Sequence, residues 1–492
     1  MKTPGLVTLL LFAVAQPGSA QSYRVRIDAR AQAVSYRGLT ADSIAMSDVV
    51  PGPNGGFATP DGYAVQCHTG IYCYFYRPGE AHDQLPMNLG ASAVLWGFGV
   101  QGLTIHLAGR LTGDAGDEAG RWPGTEPAAQ LLEAYAEYSR SLYTIRGGRI
   151  LVASRLEPMG FDGGWLQLRW DNANLEVAGY GGWGLGQAAV VSVTNPLLTP
   201  LDDFRPADRQ IVAGATAAWR PAFGEIRGEY RREIDPEHNY FVSERAALSA
   251  SMRPASWLLA TAGFDYNIAE GNWGSADAAL TWVQRKFSLS AGARRYRPYF
   301  SLWTLWGAFS PVPWNGINAS GDWRALSWLS LRIRGERYWF EETGASTGLV
   351  TSLEDNGWRF GWGATARLGA RWSLDGGYSA DYGPGASARS IDATLTWTPN
   401  NRLELAGYGG TLERPLELRY YDASARFAGA RGDWRATDAW RLWVDAGWYK
   451  DERDRPDNAA SSWDQLRLRG GLSFTFGTNA DRLPLPPARR SP

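Results

Sequence analysis

LRIRGERYWF, Leu331 to Phe340, sets Leu331, Ile333, Gly335 and Trp339 on one face of an extended chain and Arg332, Arg334 and Glu336 on the other. Period-two alternation of this kind specifies a strand with one apolar and one polar face. A soluble sheet cannot bury three charges on its second face without partners. A water-filled lumen accepts them, and lipid accepts the first face.

The same split recurs along the chain. Trp358, Phe360, Trp362, Ala364, Ala366 and Leu368 oppose Arg359, Thr365 and Arg367. Ile391, Ala393, Leu395 and Trp397 oppose Asp392, Thr394 and Thr396. Leu466, Leu468, Leu472, Phe474 and Phe476 oppose Gln465, Arg467, Arg469, Ser473 and Thr475. Tryptophans such as Trp358, Trp397, Trp440 and Trp448 close the apolar faces, the place of an aromatic girdle at a membrane boundary. Short connections, such as those at Ala222-Phe223-Gly224 and Gln284-Arg285-Lys286, alternate with long ones such as Gln187 to Ala207. The expected fold class is therefore all-β: a transmembrane antiparallel up-and-down β-barrel of about 22 strands (18 to 22 on softer boundaries), with a polar interior. Alternation begins at Tyr23 to Ile27, which leaves no room for a large N-terminal plug, so no plug domain is expected.

The 492 residues carry a formal net charge of -1, and without a basic stripe a nucleic-acid partner is excluded. A helical membrane protein would need runs of about 20 apolar residues. The start of the chain, residues 1–20, reads as a signal peptide: Lys2, an apolar run from Val7 to Val14, then Gly18-Ser19-Ala20 before Gln21. Residues 21–478 are assigned to the barrel and 479–492, rich in proline and arginine, to a disordered periplasmic tail. The expected location is the outer membrane of a Gram-negative bacterium, with outer-membrane lipid as the surrounding partner.

Cys67 and Cys73 are the only cysteines, and they flank Gly70 symmetrically in Cys67-His68-Thr69-Gly70-Ile71-Tyr72-Cys73. They are expected to staple a hairpin by a cross-strand disulfide within a long first extracellular loop, residues 38–85.

Two stretches carry a family resemblance. Tyr143 to Trp170, YTIRGGRILVASRLEPMGFDGGWLQLRW, resembles bacterial porin-like outer-membrane proteins, in which a strand ends in a Gly-Arg pair, a loop follows, and a strand resumes at an aspartate-glycine start. Leu472-Ser473-Phe474-Thr475-Phe476 is similar to the aromatic-rich last strand of that class, although this chain continues beyond Phe476. The resemblance implies passive diffusion of small hydrophilic solutes. A looser similarity is to the barrel subunits of porin–cytochrome conduits, which implies the alternative of a sheath around a periplasmic multihaem cytochrome.

No catalytic, cofactor or metal constellation emerges, and an enzyme is not expected. His106 points into the lumen beside Thr104 and Arg110; a Ser-His dyad would need a serine within hydrogen-bond reach, which sequence alone does not supply, and it reads as a polar lining residue. Gly181 to Gly186 ends a strand and is followed by no helix that would hold a phosphate. The candidate functional residues are lumen charges: Glu133 and Glu137; Arg227, Glu229 and Arg231; Arg332, Arg334 and Glu336; Arg359 and Arg367; Arg467 and Arg469. Such side chains set solute preference in pores. Where signs are mixed, pairing across strands competes with that role, so the arginine-only pairs are the stronger selectivity candidates.

Overall fold

A chain with alternating faces can satisfy its backbone in a bilayer only as a closed sheet, because an open edge would leave N–H and C=O groups in hydrocarbon. The structure, a computed structural model, describes residues 22–478 apart from 52–55, 68–70, 117–128, 186–209, 237–239, 298–312, 342–355, 384–385, 417–422 and 454–461. The expected signal peptide, the tail and the loop Gln187 to Ala207 lie outside the described residues.

The first strand, β1 (Ser22–Ala45), is followed by the short β2 (Val50–Pro51), β3 (Phe57–Ala58) and β4 (Val65–Cys67). Next come β5 (Tyr72–Gln84), β6 (Pro86–Trp96), β7 (Leu103–Asp114), β8 (Ala129–Ser139), β9 (Tyr143–Val152) and β10 (Met159–Trp170). They are followed by β11 (Leu175–Gly184), β12 (Ile211–Trp219), β13 (Gly224–Asp235), β14 (Tyr240–Ala255), β15 (Leu258–Asn267) and β16 (Asn272–Val283). Then come β17 (Phe287–Tyr296), β18 (Trp314–Arg324), β19 (Leu329–Phe340), β20 (Asn356–Leu368) and β21 (Trp372–Gly383). The chain finishes with β22 (Ala386–Asn400), β23 (Leu403–Leu416), β24 (Ala423–Arg435), β25 (Trp440–Arg453) and β26 (Trp463–Gly477).

Of the 24 strands in the main sheet, β4 and β5 belong to an extension, and the other 22 form the barrel wall. Neighbours in sequence pair antiparallel from β6 to β26, and β1 closes the ring against both β6 and β26. Above the wall the first hairpin keeps going. The register Ala31↔Met87 continues as Val34↔Gln84 and, past a bulge between Arg37 and Leu39, reaches Ala45↔Tyr72. At its tip Cys67 and Cys73 pair directly across β4 and β5 and form the expected disulfide, Cα–Cα 4.2 Å. Residues 38–85 thus contain a long two-stranded arm as well as loop.

The outward positions are apolar and exposed: Leu280, Ile317, Ile333, Trp362, Ile391, Val444 and Leu466 among them. Exposed apolar surface continuous around a closed wall is lipid-facing surface. Trp170, Trp219, Trp282, Trp323, Trp372 and Trp434 ring the end that carries the short turns.

The expectation of a uniformly polar interior needs correction. On the lumen face of β9–β12, Ile150, Phe161, Tyr180 and Val212 form a buried apolar cluster, with Tyr135, Val152, Met159 and Trp165 packed against it. Ile150 alternates with the exposed Leu151 and Val212 with the exposed Ile211, so on these strands both faces are apolar. That is the pattern of a wall covered on its inner side as well.

Candidate functional site

Beside this cluster the connection between β9 and β10, residues 153–158, turns into the lumen and runs to β13–β16. Leu156 at its apex is 1% exposed. Ser154 starts the turn, its hydroxyl accepting from the Leu156 N–H at 3.0 Å. Glu157 then takes φ 79°, a left-handed conformation strained for a non-glycine residue. Three guanidiniums hold the loop there. Arg231 of β13 donates to the carbonyls of Leu156 and Glu157. Arg245 of β14 donates to the Leu156 carbonyl at 3.0 Å. Arg155 reaches Asp277 of β16 at 2.5 Å, while its own N–H donates to Glu229 at 2.9 Å. The Arg155 side chain lies where β15 offers Gly263: a Cβ there would stand 2.4 Å from its Nη1. Sequence reasoning placed Glu229 and Arg231 on a lumen ladder; the structure turns both into anchors for a loop.

Next along the wall from this clamp, β17–β21 carry a second cluster. Glu336, its side chain only 7% exposed, accepts from Arg294 at 2.5 Å and from Arg359 at 3.1 Å. Asp381 takes the Arg359 Nε at 2.9 Å and the Tyr338 hydroxyl at 3.2 Å. Trp314 lies between the two arginines, whose guanidinium carbons stand 4.8 and 5.2 Å from its ring centre, and Arg359 also stands 4.4 Å from the Tyr338 ring. Cation–π contacts of this kind fix planar guanidiniums without neutralising them.

The remaining expected lumen residues divide by register. Glu137 pairs with Arg146 at 2.7 Å, Arg227 with Glu225 at 3.0 Å, and Arg332 with Asp375 at 2.8 Å. Arg469 stands opposite Asp445 and bonds it at 2.7 Å, with Tyr408 donating to the same carboxylate at 2.9 Å. Arg467, two residues away, stands opposite Gly447 and stacks on Tyr449 and Trp463 at 4.8 and 5.4 Å. Arg334 and Arg367 are exposed and form no ion pair among the described residues, nor does Glu133. His106 stacks on Tyr135, centroids 4.6 Å apart, and shares a 3.1 Å hydrogen bond with Thr104. Missed in the sequence were Arg155, Leu156 and Arg245, whose partners lie 74 to 122 residues away. No local pattern signals such contacts.

No known family profile matches the chain, and no curated protein does either. Among solved structures, the chain is similar to a variant of the ferric enterobactin receptor PfeA from Pseudomonas aeruginosa in complex with enterobactin. That likeness has a TM-score of 0.54 at 11% identity and covers 93% of this chain and 82% of that one. A second variant of that receptor is matched at TM-score 0.51 and 10% identity, over the same shares. OccD3 (OpdP) of Pseudomonas aeruginosa is matched at TM-score 0.36 and 10% identity, over 93% of this chain and 92% of that one. None supports a porin–cytochrome conduit.

The 22-stranded antiparallel barrel is as expected, but these findings correct the expected fold class in one respect, the absence of a plug. The 22-stranded wall is that of the receptors, and barrels of that size in outer-membrane transporters hold a plug in the lumen. Among the described residues of this chain no plug domain is present; the loop at residues 153–158 is what enters the bore. The protein is an integral outer-membrane β-barrel.

Proposed function

We propose that the protein is a channel for passive diffusion of small hydrophilic solutes, which cross along the arginine-bearing half of the lumen. One observation carries this reading. On β19–β26, Arg332, Arg334, Arg367 and Arg441 keep their side chains exposed on the lumen face, whereas the clamp buries Arg231 and Arg245. Charges left exposed inside a barrel need water around them, and a continuous water path through a membrane wall conducts.

A sheath for a multihaem cytochrome gains no support from the geometry. The clamped loop and the apolar cluster thicken one side of the wall, where a sheath would need clearance. Purified protein in planar bilayers is expected to give stepwise ohmic conductance in potassium chloride. Folded, heat-modifiable protein that inserts and gives no steps would overturn the channel reading.

A further inference from the structure

Barrel registers align one cross-strand row that differs from its neighbours: Ser290↔Ser320↔Arg334↔Gly361↔Ser379↔Ser390. We propose that this row is a binding site for a small oxyanion, the carboxylate or phosphate group of a permeating solute, with Arg334 as its principal ligand. The proposal rests on the channel reading for the route by which a solute arrives, and on nothing else in it.

Arg334 is the exception among the arginines of this wall. Arg332 is tied to Asp375, and Arg294 and Arg359 to Glu336. Arg334 is exposed, with no hydrogen bond or ion pair from its side chain to any described residue. Every other member of its row is serine or glycine, so nothing bulky shields it. Gly361 makes the room: a Cβ there would lie 2.8 Å from the Arg334 Nε, so the side chain rests along the wall and its guanidinium faces the lumen. The row lies in a groove lined also by Arg294, Asn318 and Arg359.

The flanking groups are set for the same ligand. Glu336 takes the Nε and Nη2 of Arg294 and the Nη1 of Arg359, and Asp381 takes the Arg359 Nε. That leaves Nη1 of Arg294 and Nη2 of Arg359 as donors without a described partner. The Ser379 and Ser390 hydroxyls stand 2.8 Å apart and either can donate. Three guanidiniums thus face two carboxylates. A guanidinium's fork of N–H groups matches the paired oxygens of a carboxylate or phosphate. One row nearer the short turns Asp322 and Asp392 share a row with Arg332, whose charge Asp375 already offsets, and the two acids repel an anion that moves on. Attraction at one row and repulsion at the next keep the site shallow, as conduction requires: binding must allow entry without preventing exit.

The test is calorimetry on purified full-length protein in detergent, titrated with inorganic phosphate and, separately, with succinate. At least one probe is expected to bind the parent protein, and the two arms show which oxyanion group is preferred. Arg334→Ala should weaken that binding about tenfold or more, with Arg334→Lys between the two. Arg77→Ala, on the arm beyond the wall and paired there with Asp42, should change it by less than about threefold. An unaltered shift between heated and unheated mobility confirms that each variant is folded. Parent protein that binds neither probe, or Arg334→Ala that binds as tightly as the parent, overturns the site. Calorimetry needs no conduction, so protein that conducts but binds neither probe refutes only this proposal. Protein that binds but never conducts refutes only the channel.

Discussion

Arg231 and Arg334 both occupy lumen-facing positions on barrel strands, yet their circumstances are opposite. Arg231 is 2% exposed and donates to two carbonyls of the inward loop; Arg334 is exposed and has no described partner. The half of the wall around Arg231 joins an apolar cluster to a clamped loop. The half around Arg334 keeps Arg332, Arg334 and Arg367 in water. The difference teaches that charge on a lumen face does not by itself mean selectivity. An arginine that has lost its solvent to a backbone carbonyl works as a structural member, and only one that keeps its solvent is available to a passing solute.

The sharpest way to break this contrast is to exchange the fates of the two halves. Arg231→Ala leaves the Leu156 and Glu157 carbonyls buried with fewer donors, at a cost of about 3 kcal/mol. Arg332→Ala, which breaks an exposed pair, should stay within about 0.5 kcal/mol. Denaturant midpoints of the two variants measure the gap, and equal midpoints would dissolve the distinction. A second measurement follows the loop directly. Cysteine placed at Leu156 should resist thiol reagents in the parent background and react about tenfold faster once Arg231→Ala is added. Equal rates would mean that the arginine does not hold the loop.

On the open half the expected effects are smaller. Glu336→Gln removes the carboxylate that two arginines share and with it one negative charge from the lumen. The anion-to-cation permeability ratio, read from reversal potentials, should rise about twofold. A fall would mean that the arginines need Glu336 to hold them toward the solute path. Replacing both Cys67 and Cys73 by serine should touch neither half. Closing so short a loop stabilises by about 2 kcal/mol in the chain-entropy model, and that contribution is confined to the arm. Proteolysis near Gly70 should quicken while the unfolding of the barrel is unchanged.

Strand positions were legible because each strand states its two faces locally: Leu331 to Phe340 needs no distant information to be read as outward-apolar and inward-charged. The roles of the charges were not legible, because they depend on register. Arg359 and Arg367 share a face of β20 and look equivalent in sequence. Register sets the first beside Glu336 and Asp381 and the second opposite Ser373. Arg467 and Arg469 divide in the same way, opposite Gly447 and Asp445. The apolar lumen cluster was invisible for another reason. Ile150, Phe161 and Val212 are spread over three strands, and each alone reads as ordinary hydrophobic content in a strand.

The seam between the first and last strands sets a timetable for assembly. Asp28 and Ser473 are hydrogen-bonded across 445 positions of sequence, and Ser35 donates its N–H to Gln465 across 430. Almost the whole polypeptide must be made before β1 meets the strand that completes it. Pairing this non-local is intrinsically slow. Meanwhile one edge of β1 stays open to any other chain it meets. The run Arg24, Arg26, Asp28 and Arg30 therefore acts at a time as well as in a place: charged side chains discourage an exposed edge from accepting the wrong strand. Neutralising them should raise the yield of misassembled protein even if the finished barrel tolerates the change.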